Sequence, residues 1–139
     1  MNIQPIQPIT FGMVVPSKED IKKQPTFTYS NELKTLYKKG LLPTVKVDAG
    51  GNLLTKKNVS LDHVIAISKG GKSYTGNYML ATKDFNSRRG NDPLIWWTTM
   101  ENLIRYLKQF VGIRVGRFIG NEYIAEILKT LERANELGV

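Results

Sequence analysis

Residues 59–91 follow an order of side chains that leaves few ways to fold. Ser60 to Ile67 carries Val64, Ile65 and Ile67, β-branched residues that favour extended backbone. Gly70-Gly71 breaks that run, and Tyr78 to Thr82 supplies a second apolar strand. Lys83-Asp84 then opens a helix that continues past Asn86. Strand, glycine-rich loop, strand and helix therefore follow one another within a few turns of chain.

The flanks predict simpler elements. Residues 1–28, with Pro5, Pro8, Pro16 and Pro25 and little periodicity, read as an extended or disordered arm. Ser30 as N-cap, Gly40 just past the end, and Leu33, Leu36 and Tyr37 on one face predict a short basic helix. Thr44-Val-Lys-Val-Asp48 alternates, and Ala49-Gly-Gly-Asn52 turns it, predicting a hairpin over 44–54. Pro93 predicts the first turn of a helix with a stripe of Leu94, Trp97, Leu103, Ile104, Leu107 and Phe110, ending near Gly112. A last helix from about Asn121 places Ile124, Ile127, Leu128 and Leu131 together before Gly138. The expected class is α+β, with an arm at 1–28, a core at 29–92, and a helical extension at 93–139 packed on that core.

Composition narrows the function. The chain of 139 residues has no cysteine, which excludes disulfides and thiolate zinc sites. No apolar run reaches the roughly 18–20 residues of a membrane span, and the N-terminus lacks the pattern of a Sec signal. A cytoplasmic location is expected, with export by a signal-less route left open. The net charge of +8 is uneven, with 17 lysines and arginines against 6 carboxylates between Ile21 and Arg117. A basic middle between acidic ends suits a polyanion partner.

The single histidine, His63, follows Asp62 directly. Cleaving a phosphodiester requires an activated water, a cation on the phosphate and help for the departing oxygen. Imidazole accepts a proton near neutral pH, and carboxylate or amide oxygens suit a hard divalent cation. Adjacent residues on a strand point to opposite faces, so Asp62 and His63 cannot serve one atom together.

Asp62-His63, Gly70-Gly71, Asn77 with Leu80-Ala81, and Asn86-Ser-Arg-Arg-Gly90 together resemble the HNH endonuclease signature. The resemblance spans 33 residues, Val59 to Asn91, with 14 positions from His63 to Asn77 and nine more to Asn86. It implies a ββα-metal (His-Me finger) core clasping one divalent ion. On that basis His63 is the general base, and Asp62 and Asn86 are metal ligands. Asn77 positions His63 by bonding across the loop. Arg88 or Arg89 contacts phosphate, with Lys69, Lys72 and Lys83 completing the basic surface. A solvated helix face is the competing reading of the two arginines.

The chain departs from the family in having Ala66 where proline is common, no cysteine clamp for a structural zinc, and Asn86 where many members have histidine. The last favours Mg²⁺ or Mn²⁺ over tightly held zinc. The expectation is an enzyme that hydrolyses DNA, with RNA as the other substrate. Two further readings are a non-catalytic nucleic-acid-binding module on the same scaffold and a toxin-like effector nuclease held by an acidic inhibitor protein. One site nicks one strand, so a double-strand break requires a homodimer or two encounters. Trp96 and Trp97 read as core or interface aromatics rather than DNA wedges.

Overall fold

A computed structural model describes residues 32–139 of the chain; the arm at 1–28 and the Ser30 cap lie outside them. Leu33, Leu36 and Tyr37 recur at helical spacing, and helix α1 (Glu32–Lys38) buries all three. Gly40, at φ +74°, lets the Gly40 and Leu41 amides turn back to the Tyr37 and Leu36 carbonyls, which ends the helix. Strands β1 (Val59–His63) and β2 (Tyr78–Thr82) form an antiparallel pair, in register from Val59↔Thr82 to His63↔Tyr78. Helix α2 (Lys83–Arg89) starts where β2 ends, because the Thr82 hydroxyl accepts the Phe85 amide. α2 packs back on both strands. The architecture is α+β, as the sequence predicts, with four α-helices and two small antiparallel sheets among the described residues.

Downstream lie α3 (Met100–Lys108), a two-residue-strand hairpin of β3 (Arg114–Val115) and β4 (Phe118–Ile119), and α4 (Gly120–Leu137). One apolar core joins all of this, from Leu33 of α1 through Val59 and Leu80 to Leu103, Phe110, Phe118 and Ile127. The extension is thus part of the core that carries β1 and β2. No helix among the described residues is long and apolar enough to cross a membrane.

Every residue of β2 is buried, yet among the described residues β1 is its only partner strand. Its other edge is finished by side chains. Tyr123 of α4 donates to the Tyr78 carbonyl at 2.6 Å, and the Tyr106 hydroxyl of α3 accepts the Leu80 amide at 2.8 Å. The two hydroxyls bond each other at 2.9 Å. Asp48 accepts the Thr82 amide through Oδ2 at 3.0 Å. Buried backbone groups must be paired somewhere, and here side chains pair them.

Several expected boundaries move. The first strand ends at His63 rather than at Ile67, since Asn77 takes the amides of both following residues: Val64 donates to the Asn77 carbonyl and Ile65 to its Oδ1. The hairpin over 44–54 reduces to a single bridge, Val47↔Leu53. Asp48 Oδ1 draws the Gly50 and Asn52 amides inward, and the Gln109 side chain bonds both the amide and the carbonyl of Val47. The helix expected to run from Pro93 to Gly112 is divided. Leu94–Trp96 is a 3₁₀ turn, and Thr99, extended at ψ 161°, restarts the helix by capping the Asn102 amide. The β3–β4 hairpin was not anticipated, because two-residue strands have no period to read.

Replacing Tyr106 by phenylalanine removes the acceptor of a buried amide and one partner of Tyr123. We expect a loss of about 1–3 kcal/mol in denaturant unfolding, with the denaturant dependence unchanged. Tyr123→Phe should cost a similar amount. The double variant should cost less than the two losses added, because both remove the same hydroxyl contact.

Candidate functional site

The last residues of β1 point in alternating directions, as a pleated strand requires. His63 pairs in register with Tyr78, and its ring lies against the Tyr78 ring with centroids 4.5 Å apart. Asp62 points to the other face, toward α2, where its Oδ1 is 2.7 Å from Arg89 Nη1. The Arg89 guanidinium uses four of its five N–H groups within the protein. Nη1 also donates to the His63 carbonyl, Nη2 to the Val64 carbonyl and Nε to the Asp92 carbonyl. One arginine near the end of α2 therefore grips three consecutive residues where β1 ends.

Asn86 sits one turn earlier on α2. Its Nδ2 donates to the Leu61 carbonyl at 3.0 Å and to Ser60 Oγ at 3.2 Å, and Ser60 in turn donates to the Ala81 carbonyl. A carbonyl only accepts, so the amide nitrogen must face β1 and Oδ1 faces away from it. Asp62 Oδ2 likewise accepts no hydrogen bond from the described residues. Because no enclosed side-chain oxygen lacks a partner there, Oδ2 is the atom by which this nearly buried carboxylate reaches the surface. The site thus offers two oxygens without partners among the described residues, one anionic and one neutral, on the α2 side of β1.

His63 is half-buried on the opposite face, and Ser73 Oγ lies 3.4 Å from its Nε2. Burial, and then the positive charge of Arg89, hold the imidazole below its ordinary value of 6.5, so the ring is neutral at pH 7. Burial pushes the Asp62 carboxyl upward, and the charge and hydrogen bond of Arg89 pull it partly back. A neutral imidazole is the form that accepts a proton.

The loop between His63 and β2 is held by Asn77, which is 1% exposed. Its Oδ1 accepts the Ile65 amide, and its Nδ2 donates to the Ile65 and Lys72 carbonyls at 2.9 and 2.8 Å. Asn77 therefore acts as a positioning residue that does not itself face solvent. Gly71 completes the turn, since a Cβ there would sit 1.8 Å from the Ile65 carbonyl oxygen. α4 supports the same loop from behind, with Thr130 donating to the Gly76 carbonyl.

The expected basic residues divide. Arg88, Lys83, Lys69 and Lys72 are exposed. Arg88 makes only a 3.6 Å surface pair with Asp84, and the Lys69 ammonium donates to the Asn91 carbonyl. Arg89 does not belong with them. Its side chain is 2% exposed and four of its five N–H groups bond the protein, so the expected phosphate contact at Arg89 is corrected to an internal staple. Among the described residues no three His, Asp or Glu side chains converge as a ready-made metal cage. Asp62 Oδ2 and Asn86 Oδ1 are a carboxylate and an amide oxygen, the ligand types a hard cation such as Mg²⁺ takes alongside its waters. Sequence reasoning missed Ser60, although its position two residues before Asp62 puts both on one face. It also missed Ser73, a small polar loop residue that carries no signal of its own.

Because His63 has a depressed value in the folded chain, the unfolded chain binds more protons between that value and 6.5. The stability His63 contributes is therefore complete above 6.5 and is lost as pH falls through the folded value. Nuclear magnetic resonance of the one imidazole should show it titrating below 6.5 in the native chain and near 6.5 in denaturant. A native midpoint above 6.5 would contradict the assigned burial.

Compared with protein-family models, curated proteins and solved structures, the chain has no match, so its own side chains carry the functional reading.

Proposed function

We propose that the chain is an HNH-type endonuclease that hydrolyses DNA, with β1, β2 and α2 as a ββα-metal core and one Mg²⁺ or Mn²⁺ held at Asp62 and Asn86. The observation that supports this most is the pairing of two oxygens unpartnered among the described residues, on one face of β1, with a neutral imidazole on the other. A domain that only binds nucleic acid has no use for that combination. The basic residues Lys69, Lys72, Lys83 and Arg88 supply contacts to the phosphate backbone, which makes affinity dependent on salt and little dependent on sequence.

In this reading His63 takes a proton from the water that attacks phosphorus. Ser73 and the Tyr78 ring keep the imidazole oriented while it does so. Asn77 and Arg89 keep the backbone around His63 from shifting. Positive charge on the scissile phosphate and the departing oxygen is the chemistry a bound cation supplies. Hydroxide adds to phosphorus, the bond to the 3′-oxygen breaks, and that oxygen gains a proton from solvent. The products are a 5′-phosphate and a 3′-hydroxyl.

Purified chain should nick supercoiled plasmid with Mg²⁺ or Mn²⁺ and stop on addition of EDTA. His63→Ala should lower the rate by about a hundredfold or more. An intact plasmid under every metal, together with salt-sensitive retention of DNA in a gel, would instead support the binding-module reading.

A further inference from the structure

The carboxylate proposed to hold the cation already has a counter-ion inside the protein. Arg89 and Asp62 are 2.7 Å apart with side chains 2% and 4% exposed, so the pair is close to neutral as seen from the surface. Arg89 cannot leave easily, because three backbone carbonyls, those of His63, Val64 and Asp92, hold its guanidinium as well. Asn86, the second oxygen donor, carries no charge. The other three aspartates among the described residues are engaged elsewhere: Asp48 accepts the Gly50, Asn52 and Thr82 amides and reaches Asp62 only through its charge, Asp92 accepts the Trp97 indole, and Asp84 pairs with Arg88 on the surface. A divalent cation at Asp62 Oδ2 and Asn86 Oδ1 would therefore give up hydration for two oxygens whose net charge is largely cancelled.

We infer that Arg89 makes cation capture conditional on substrate: the protein alone holds the cation weakly, and the phosphodiester supplies the missing anionic ligand. This rests on the nuclease reading and adds to it the order of assembly. By thermodynamic reciprocity, the factor by which DNA tightens the cation equals the factor by which the cation tightens DNA.

The test uses the full chain carrying His63→Ala, so that nothing is cut. Mn²⁺ binding is followed by paramagnetic resonance with and without a short duplex DNA, the duplex alone serving as control. DNA binding is followed by fluorescence anisotropy with and without Mn²⁺. We expect Mn²⁺ affinity to rise about tenfold or more on adding DNA, with the same factor in the anisotropy titration. Arg89→Met should raise the Mn²⁺ affinity of the DNA-free chain about tenfold, whereas Arg89→Lys, which keeps the charge, should leave it near that of the His63→Ala parent. Should Arg89→Met fail to fold, the parent titrations and Arg89→Lys still decide. Equal Mn²⁺ affinity with and without DNA, where both bind, overturns the role of Arg89 and leaves the nuclease reading standing. Failure to bind Mn²⁺ even with DNA present overturns both.

Discussion

The free edge of β2 is the constraint on which the rest of the molecule depends. A strand buried along its whole length cannot leave one row of amides and carbonyls unpaired. Tyr123, Tyr106 and Asp48 pair with that row, and each comes from a different part of the chain. α4, α3 and the 48–52 turn are thereby tied to the sheet that carries His63. The tyrosine rings then extend the core, packing against Phe110 and through it to Phe118. In a chain without cysteine, this hydroxyl and carboxylate frame ties the segments together where no disulfide can.

A second set of polar side chains gives the site its shape. Asn77 closes the loop after His63 from the β2 side, and Arg89 closes it from the α2 side. Both are buried, and both spend most of their hydrogen bonds on backbone. The backbone that would otherwise continue β1 is captured by these two residues instead. That capture ends the strand at His63, with Asp62 and Asn86 on one side of it and His63 on the other. The cost of burying an arginine is offset by giving it four acceptors, one of them charged.

Much of this was legible in the residues themselves. The apolar spacing of α1 and α4, the run of β2 and the start of α2 after Thr82 all follow from period and capping. The elements between Pro93 and Gly112 were not, because Leu94 and Trp97 share a helical spacing with Leu103 while Thr99 interrupts the helix through its own cap. The 44–54 segment alternates as a hairpin does, yet Asp48 and Gln109 bond its backbone first. Local pattern cannot foresee a competitor that arrives from 62 residues away.

The sequence by itself determined which residue types stand beside one another: a histidine behind an aspartate on a strand, an asparagine closing the loop, and an asparagine and two arginines on the helix that follows. The pleat of a strand then requires that Asp62 and His63 part company. Only the tertiary structure decided that Arg88 faces water while Arg89 is internal, since adjacent residues on a helix are about 100° apart and only one could meet the end of β1. It likewise decided that Arg89 takes one oxygen of Asp62, while the other has no partner among the described residues. Hydrogen bonds between distant segments settle such choices, and spacing along the chain carries no record of them.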